Sequence, residues 1–227
     1  MAQHRVVAGQ VVLIAGAGLG VGALAARAVA QVGACAVVAQ REGGPALQAG
    51  ALGPGEIVLA ELGGHEPTLF CEEMVAQTGR LDALIYCAAP ALVSPYWQLD
   101  EEAWLRGVSE PLLDVHRWVR AAMLQMRTQK FGTIVVVGPA AGLEPNDDRV
   151  ALNTLGGAIR GFVEALAYAG LRSNVQCYAL RLGARPVDVA GPPEAVWPEL
   201  GPQLIALVSG RHEIASGGLV DIPTAPL

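Results

Sequence analysis

The chain has 227 residues, of which 52% are hydrophobic and only 16% are charged, and its net charge is −6. This negative charge argues against binding to nucleic acid or to an anionic membrane surface. No apolar run approaches the ~20 residues of a membrane-spanning helix, and the first residues lack the apolar core of a signal peptide, so we expect a cytoplasmic protein.

Short apolar strands alternate with helices along the whole chain. The predicted strands are Val11–Ala15, Ala34–Ala39, Ile57–Ala60, Ala83–Cys87, Thr133–Gly138, Val175–Leu180 and Leu219–Asp221. The predicted helices are Leu19–Val32, Glu66–Thr78, Asp100–Val108, Pro111–Gln129, Arg149–Leu171 and Glu194–Ser209. This alternation indicates a seven-stranded, doubly wound parallel sheet with helices on both faces. No linker divides the chain, so we expect residues 1–227 to form a single domain.

A glycine-rich loop joins the first predicted strand to the first predicted helix. Its glycines are Gly16, Gly20 and Gly22 in the stretch AGAGLGVG. A strand, glycines and a helix in this order direct backbone N–H groups and a helix N-terminus at a pyrophosphate. In the alternative interpretation, the small residues only allow the helix to pack tightly against the strand. The second predicted strand is followed by Gln40 and Arg41 with no acidic residue, which favours NADP(H) over NAD(H) for any bound dinucleotide.

The four cysteines, Cys35, Cys71, Cys87 and Cys177, are scattered in apolar surroundings. This distribution is typical of buried thiols and not of disulfides or of a zinc site. The histidines are equally dispersed, and we predict no metal site.

The glycine spacing resembles that of the short-chain dehydrogenases/reductases, and the resemblance continues over nearly the whole chain. GRLDALIYCAAP (residues 79–90) resembles the segment of the fourth strand, with Tyr86, Cys87, Ala88 and Ala89 where Asn-Asn-Ala-Gly usually stands. GTIVVVGPAAG (residues 132–142) is similar to the turn of the catalytic serine. GFVEALA (residues 161–167) is similar to the latter half of the long helix that carries the active-site tyrosine and lysine.

The resemblance implies a Rossmann-type domain and a site for NADP(H) or NAD(H). The residues it assigns to that site are Gly16, Gly20, Gly22, Arg41, Glu61, Leu62 and Ala88, with Glu61 and Leu62 beside the adenine. The resemblance also assigns catalysis to an asparagine, a serine, a tyrosine and a lysine. The matching positions hold Pro111, Pro139, Leu152 and Gly156. None of these four side chains can donate a proton or carry a charge, so we predict that the catalytic set is degenerate.

One observation supports this prediction without any alignment. The only lysine of the chain is Lys130, and Met126 stands four residues before it, so no Tyr-x-x-x-Lys pair exists. Tyr168 and Arg172 have that spacing, but arginine titrates far too high to replace the lysine, and the pair falls at the end of a predicted helix. Loss of the lysine removes a ribose contact, and Ala89 replaces a glycine, so we expect dinucleotide binding to be weak or absent.

The part of the chain after Gly183 also departs from the family. Only a short segment precedes the helix predicted at Glu194, where the family usually carries a long insertion over the substrate. The two long helices, residues 111–129 and 149–171, keep apolar stripes that would pair across a subunit interface. Gly156 and Gly157 lie inside the second helix, where each lowers helix stability relative to alanine. Close approach of a neighbouring helix could offset this loss. Alternatively, these stripes only face the sheet of their own chain.

Three functions remain open on the sequence alone. The first is a non-catalytic subunit that binds an active paralogue through helices 111–129 and 149–171, as a heterotetramer. By family analogy, that assembly would act on hydroxyacyl or ketoacyl thioesters, such as acyl-CoA intermediates of aromatic degradation. The second is an NADP(H)-dependent oxidoreductase with a non-standard site that uses His116, Asn153 or Thr154. The third is a regulator whose assembly responds to a dinucleotide.

Overall fold

Seven parallel strands form one sheet in the computed structural model of the chain, which describes residues 9–16, 20–40, 55–61, 66–88, 92–139, 147–183 and 192–224. The strands are β1 (Val11–Ala15), β2 (Cys35–Gln40), β3 (Ile57–Glu61), β4 (Ala83–Cys87), β5 (Gly132–Gly138), β6 (Val175–Leu182) and β7 (Leu219–Ile222). Their order is β3-β2-β1-β4-β5-β6-β7, and every pair is parallel. The predicted doubly wound sheet is confirmed, and its strand order reverses between β1 and β4, where open α/β sheets bind ligands.

Seven α-helices lie between the strands of the described chain. They are α1 (Val21–Gln31), α2 (Pro67–Thr78), α3 (Glu101–Trp104), α4 (Glu110–Gln129), α5 (Val150–Gly170), α6 (Pro193–Val196) and α7 (Leu200–Ser209). Two short 3₁₀ turns, Tyr96–Gln98 and Leu171–Ser173, precede α3 and follow α5. No helix among the described residues combines the length and the apolar character needed to cross a bilayer.

The predicted break between two helices near residue 110 is wrong. A π-helical turn, Leu105–Ser109, joins α3 to α4 without interruption, and Pro111 lies in the first turn of α4. A proline inside a helix has no N–H to donate, and its ring collides with the carbonyl four residues earlier, which here is Gly107. The wider π turn directly before Pro111 accommodates the ring, so the helical path continues.

The single helix predicted over Glu194–Ser209 is two helices in the structure. α6 ends at Val196, and Trp197 adopts φ −129° and ψ 74°, outside the helical region. Trp197 precedes Pro198, whose ring disfavours the helical conformation of the residue before it. This X-Pro step therefore separates α6 from α7.

Apolar side chains fill both faces of the sheet, because residues of each strand point alternately to opposite sides. On one face, Leu13 and Ala15 of β1 pack in a cluster with side chains of α2, α4 and α5. On the other face, Val12 and Ile14 pack with side chains of α1 and α7. Every residue of β1, β4 and β5 is buried, which is typical of a parallel sheet covered on both faces.

Buried thiols are confirmed at three of the four cysteines. Cys71, Cys87 and Cys177 are buried and free, whereas Cys35 is partly exposed. Burial raises the pKa of each of the three buried thiols to about 12. These thiols remain protonated at neutral pH and act as small apolar side chains.

Candidate functional site

The glycine loop leaves the carboxyl end of β1 and leads into α1. Gly16 adopts φ +71° and Gly20 adopts φ +74°. Residues that carry a side chain rarely adopt these backbone conformations. Gly20 is the N-cap of α1 and is exposed, whereas Gly22 is buried in the first turn. Three of the predicted cofactor residues thus lie where a strand turns into a helix.

Close packing within the chain is enough to require a glycine at position 16, whether or not a ligand binds. A Cβ at Gly16 would lie 2.5 Å from the carbonyl oxygen of Cys87 and 2.8 Å from Cζ of Tyr86. The ring of Tyr86 is almost fully buried, and its hydroxyl donates a 2.7 Å hydrogen bond to Oδ2 of Asp114 in α4. At the position where the family resemblance predicts an asparagine, this chain has a tyrosine whose ring packs against Gly16.

The segment that precedes α7 lies against the start of α1. Cγ of Pro193 is 3.0 Å from the position that a Cβ would take at Gly20. Glu194 forms an ion pair with Arg27 of α1. The indole Nε1 of buried Trp197 donates a 3.1 Å hydrogen bond to the carbonyl oxygen of Gly183 at the end of β6. These contacts hold the Pro193 ring against Gly20, the second glycine of the loop.

The predicted nucleotide end of the site is described only in part. Gln40 and Glu61 are the last residues of β2 and β3, and they are paired in the sheet. Ala88 follows β4 and donates its N–H to the carbonyl oxygen of Val137 at 2.8 Å. Arg41 and Leu62 lie outside the described residues, so their predicted contacts with a nucleotide stay predictions.

Two of the four positions assigned to catalysis come together at one pocket. Pro139 follows β5, Gly156 lies in the first half of α5, and both line a cavity of about 260 Å³. Leu152 of α5 is instead buried in the core beneath α4 and α5. Pro111 is in the first turn of α4 and does not line this cavity.

The remaining lining of the cavity comes from β5, β6, β7 and α5. Its described residues are Gly138, Asn153, Gly157, Ile159, Arg160, Ala179, Leu180, Arg181 and Leu219. The titratable side chains among these described residues are two arginines. Arg181 donates two hydrogen bonds to Asp221 of β7, at 2.5 Å from Nε and 2.7 Å from Nη2, and these bonds raise its pKa. Nε of Arg160 bonds to Glu164 at 2.9 Å.

The residues considered for replacement chemistry are not brought together around this cavity. Asn153 lines it. The hydroxyl of Thr154 is exposed and donates a 2.8 Å hydrogen bond to the carbonyl oxygen of Val150, one turn earlier in α5. His116 is exposed on α4, where its ring lies 6.4 Å from the ring of Phe162.

Lys130 lies at the opposite edge of the sheet. It ends α4 with φ +66°, two residues before β5 begins, whereas the glycine loop and the cavity follow the carboxyl ends of the strands. Within the described residues, no three His, Cys, Asp or Glu side chains are placed to hold a metal ion together.

Sequence reasoning missed three contacts of this region: Tyr86 with Asp114, Pro193 with Gly20, and Arg181 with Asp221. A tyrosine in an otherwise apolar strand is a signal for the first contact, because a buried phenol usually finds a hydrogen-bond partner. The other two contacts join residues far apart in sequence, and no local pattern marks them.

Comparison with known proteins agrees with this architecture. A family model described as short chain dehydrogenase matches residues 10–192. Acetoacetyl-CoA reductase of Acinetobacter sp. (strain RA3849) is 29% identical over 119 residues, which are 52% of this chain and 48% of that protein. Peroxisomal multifunctional enzyme type 2 of Mus musculus is 25% identical over 231 residues, which cover 94% of this chain and 31% of that protein. The chain thus spans less than half the length of either relative.

Solved structures share the whole fold at low sequence identity. A short chain dehydrogenase from Mycobacterium smegmatis has a TM-score of 0.82 and 21% identity, with 100% of this chain and 97% of that chain covered. A short-chain type dehydrogenase/reductase from Mycobacterium ulcerans has a TM-score of 0.82 and 19% identity, with 96% and 89% covered.

Proposed function

The chain belongs to the short-chain dehydrogenase family, and from this premise we propose that it is a non-catalytic subunit that assembles with an active paralogue. In this proposal the partner carries out hydride transfer with NAD(P)(H), and this chain supports the partner's fold and assembly. The helices that bind the partner are α4 and α5, which correspond to the predicted ranges 111–129 and 149–171. We expect the assembly to be a heterotetramer.

The observation that carries the proposal is the chemistry of the cavity between β5, β6 and α5. Among the described residues, its titratable side chains are Arg160 and Arg181, and both are engaged by carboxylates. A general acid or base needs a pKa near the working pH, whereas a guanidinium stays charged far above it. Pro139 and Gly156 add no polar side chain, so no described residue of this cavity is suited to move a proton to a carbonyl oxygen.

The positions of the tyrosines support the same conclusion. Tyr86 is buried and bonded to Asp114, and Tyr178 is buried on the other face of the sheet. Tyr96 is exposed in the 3₁₀ turn before α3, and Tyr168 is exposed in the last turn of α5. None of the four lines the cavity. Lys130 is at the far edge of the sheet, so it cannot lower the pKa of a tyrosine there.

The contacts at the glycine loop support weak or absent cofactor binding. Gly20 is exposed at the start of α1, and Cγ of Pro193 lies 3.0 Å from the position of its missing Cβ, so the Pro193 ring narrows the approach to this glycine. Position 16 already requires a glycine because Tyr86 and the carbonyl of Cys87 leave no room for a Cβ there. We therefore propose that a dinucleotide binds this chain weakly or not at all, and we assign no chemical step to one here.

The substrate class of the proposed assembly comes from the relatives. One is an acetoacetyl-CoA reductase, whose name places a ketoacyl thioester in its reaction. We therefore propose that the active partner reduces or oxidises a hydroxyacyl or ketoacyl thioester, of which acyl-CoA intermediates in aromatic degradation are one case. This chain contributes no group to that chemistry.

The proposal is tested by comparing the chain alone with the chain co-expressed with a family paralogue from a neighbouring gene. Alone, we expect no turnover of acetoacetyl-CoA with NADPH or NADH. Co-expressed, we expect the two chains to purify together and the paralogue to gain activity or solubility.

A matched variant separates this proposal from catalysis with replaced residues. Asn153→Ala removes the amide that lines the cavity, and we expect it to leave the activity of the assembly unchanged. Turnover by the chain alone that falls in Asn153→Ala would show instead that this chain is a catalyst.

A further inference from the structure

The segment between β4 and α4 exposes a group of large apolar side chains, which we call the Trp97 surface. Five of the twelve large apolar side chains that are exposed among the described residues belong to it. They are Leu92, Val93, Tyr96, Trp97 and Leu105, and the tryptophan is the most exposed of them, at 71%. Single exposed apolar residues are ordinary, whereas a group that includes tyrosine and tryptophan is typical of a surface that a partner covers.

Hydrogen bonds hold the backbone of this segment against the start of α5. The N–H of Ser94 donates a 2.9 Å hydrogen bond to the carbonyl oxygen of Asp148. The N–H of Tyr96 donates a 3.1 Å hydrogen bond to the carbonyl oxygen of Asp147. Trp97 therefore extends from a bonded backbone, and a partner that covers it does not first have to order the segment.

The same part of the chain is strongly acidic. Residues 92–110 and 147–149 contain six carboxylates and two arginines, so they carry −4 of the chain's net charge of −6. Both arginines are paired with carboxylates of this part of the chain, Arg106 with Glu102 and Arg149 with Asp148. The Trp97 surface therefore repels anionic partners, which include nucleic acid and the surface of an anionic membrane.

Two of these carboxylates lie beside the apolar side chains. Glu101 lies one helical turn before Leu105, whose N–H bonds to its carbonyl oxygen, so the two side chains share a face. Asp147 is bonded through its backbone to Tyr96. Both acids are exposed, and neither forms an ion pair with another described residue. A lysine or arginine placed here would meet a carboxylate and an aromatic ring, and both attract a cation.

A second copy of this chain is a poor occupant of the Trp97 surface. In a two-fold symmetric contact, the same surface of both copies meets. Because residues 92–110 and 147–149 carry a net charge of −4 with their arginines counted, such a contact brings two negatively charged regions together. Like charges brought together across an interface disfavour the pairing.

We propose that the Trp97 surface binds a basic amphipathic segment of another protein. The apolar side chains of that segment pack against Tyr96 and Trp97. Its lysines or arginines lie over Glu101 and Asp147. The surface follows the carboxyl end of β4 and lies outside α4 and α5, so this partner is additional to the paralogue of the proposed function. The inference goes beyond that function and does not rest on it.

The probe is a fluorescein-labelled peptide of leucine and lysine, about 14 residues long, with its leucines at helical spacing. Fluorescence anisotropy measures its affinity for the wild-type chain. We expect binding in about 50 mM NaCl and an affinity at least ~10-fold lower in about 500 mM NaCl, because salt screens exposed charges. With unlabelled peptide, the tryptophan emission should shift to shorter wavelength as Trp97 is covered, because Trp118 and Trp197 are already buried.

A double variant tests the aromatic side chains. Tyr96→Ser/Trp97→Ser removes two exposed rings, so we expect it to fold and to bind the peptide at least ~10-fold more weakly than the wild type. Circular dichroism checks the fold. Tyr168→Ser removes an exposed ring from α5 and is the matched control, which should bind the peptide like the wild type.

A second double variant tests the carboxylates. Glu101→Gln/Asp147→Asn should weaken peptide binding by about threefold to tenfold at low salt and reduce its dependence on salt. Glu72→Gln/Glu213→Gln makes the same change of net charge at exposed positions on α2 and after α7. This control should bind the peptide like the wild type.

The proposal is overturned if Tyr96→Ser/Trp97→Ser binds the peptide as tightly as the wild type, or if a peptide with glutamate in place of lysine binds equally well. It is also overturned if this variant abolishes self-association of the wild type, which would assign the surface to a second copy. Loss in the variant of binding to vesicles of phosphatidylcholine and phosphatidylglycerol would assign the surface to a membrane instead. None of these results depends on turnover, so failure of the proposed function leaves them unchanged.

Discussion

The hydroxyl of Tyr86 in β4 donates a 2.7 Å hydrogen bond to Oδ2 of Asp114 in α4, across 28 residues of chain. The Tyr86 ring also lies against Gly16, directly after β1. One side chain therefore joins Gly16 after β1, the central sheet and the long helix α4. In a family whose fourth strand usually ends in asparagine at this position, this chain uses the same position for packing.

Removing that hydroxyl should destabilise the fold. We expect Tyr86→Phe to lower the free energy of unfolding by about 1–2 kcal/mol, because it deletes the hydrogen bond between the phenol of Tyr86 and the side chain of Asp114. Urea denaturation measures the change. Tyr168→Phe removes an exposed hydroxyl and is the matched control, which should stay within about 0.5 kcal/mol of the wild type. Equal stability of the two variants contradicts the assigned role of Tyr86.

Gly16 should be far less replaceable than another glycine of the same conformation. Gly79 has φ +77° with no described atom near its missing Cβ, so Gly79→Ala should cost only the left-handed strain of about 1–2 kcal/mol. Gly16→Ala adds a collision with Tyr86 and the Cys87 carbonyl, and we expect a further loss of about 2 kcal/mol or more. Thermal unfolding of both variants provides the comparison. A Gly16→Ala protein as stable as Gly79→Ala would mean that the loop can move away from β4.

Replacing a glycine of α5 with alanine should stabilise the isolated chain and weaken its association with a partner. Gly157→Ala and Gly161→Ala should each stabilise the isolated chain by about 0.5–1 kcal/mol, because alanine favours the helix and meets open space. The same variants should weaken association with the co-expressed paralogue, since each adds a methyl group on a helix proposed to bind it. Ala165→Gly, on the same exposed side, is the reverse control and should destabilise the chain. Loss of stability in Gly157→Ala would show that this side of α5 is packed within the chain.

Because three thiols are buried, we expect the free energy of unfolding to fall at alkaline pH. Burial raises the pKa of Cys71, Cys87 and Cys177 from 9.0 to about 12, so the folded chain holds protons that the unfolded chain releases. The free energy of unfolding should therefore be unaffected below pH 9 and should fall as the pH rises from 9 toward 12. Urea midpoints at pH 8 and pH 10 measure this decline. A triple variant with alanine at the three positions should show a shallower decline, and an equal decline would assign the effect to other groups.

Much of the fold could be predicted because each strand carries its own signal. β1, β4 and β5 are runs of apolar residues buried on both faces, and this pattern depends only on near neighbours in the sequence. The two errors arose at prolines, where the outcome depends on more than the local pattern. Pro111 is accommodated by a π turn and the helix continues, whereas Pro198 ends α6. The sequence marks both prolines but not which of these two outcomes each one takes.

The candidate site divides in the same way. The sequence alone shows that Pro139 and Gly156 stand at positions that the family resemblance assigns to catalysis. The structure brings these two residues to one cavity. The sequence did not indicate that this cavity would also receive Arg160 and Arg181, each already engaged by a carboxylate.

By itself, the sequence determined the alternation of strands and helices, and it excluded a Tyr-x-x-x-Lys pair because the chain has a single lysine. Only the tertiary structure decided that Pro193 lies against Gly20 and that Tyr86 bonds to Asp114. The physical reason is the separation in sequence between the residues that interact. Helix and strand patterns follow from residues a few positions apart, whereas these contacts follow from how whole helices pack on the sheet, which positions distant residues within bonding distance.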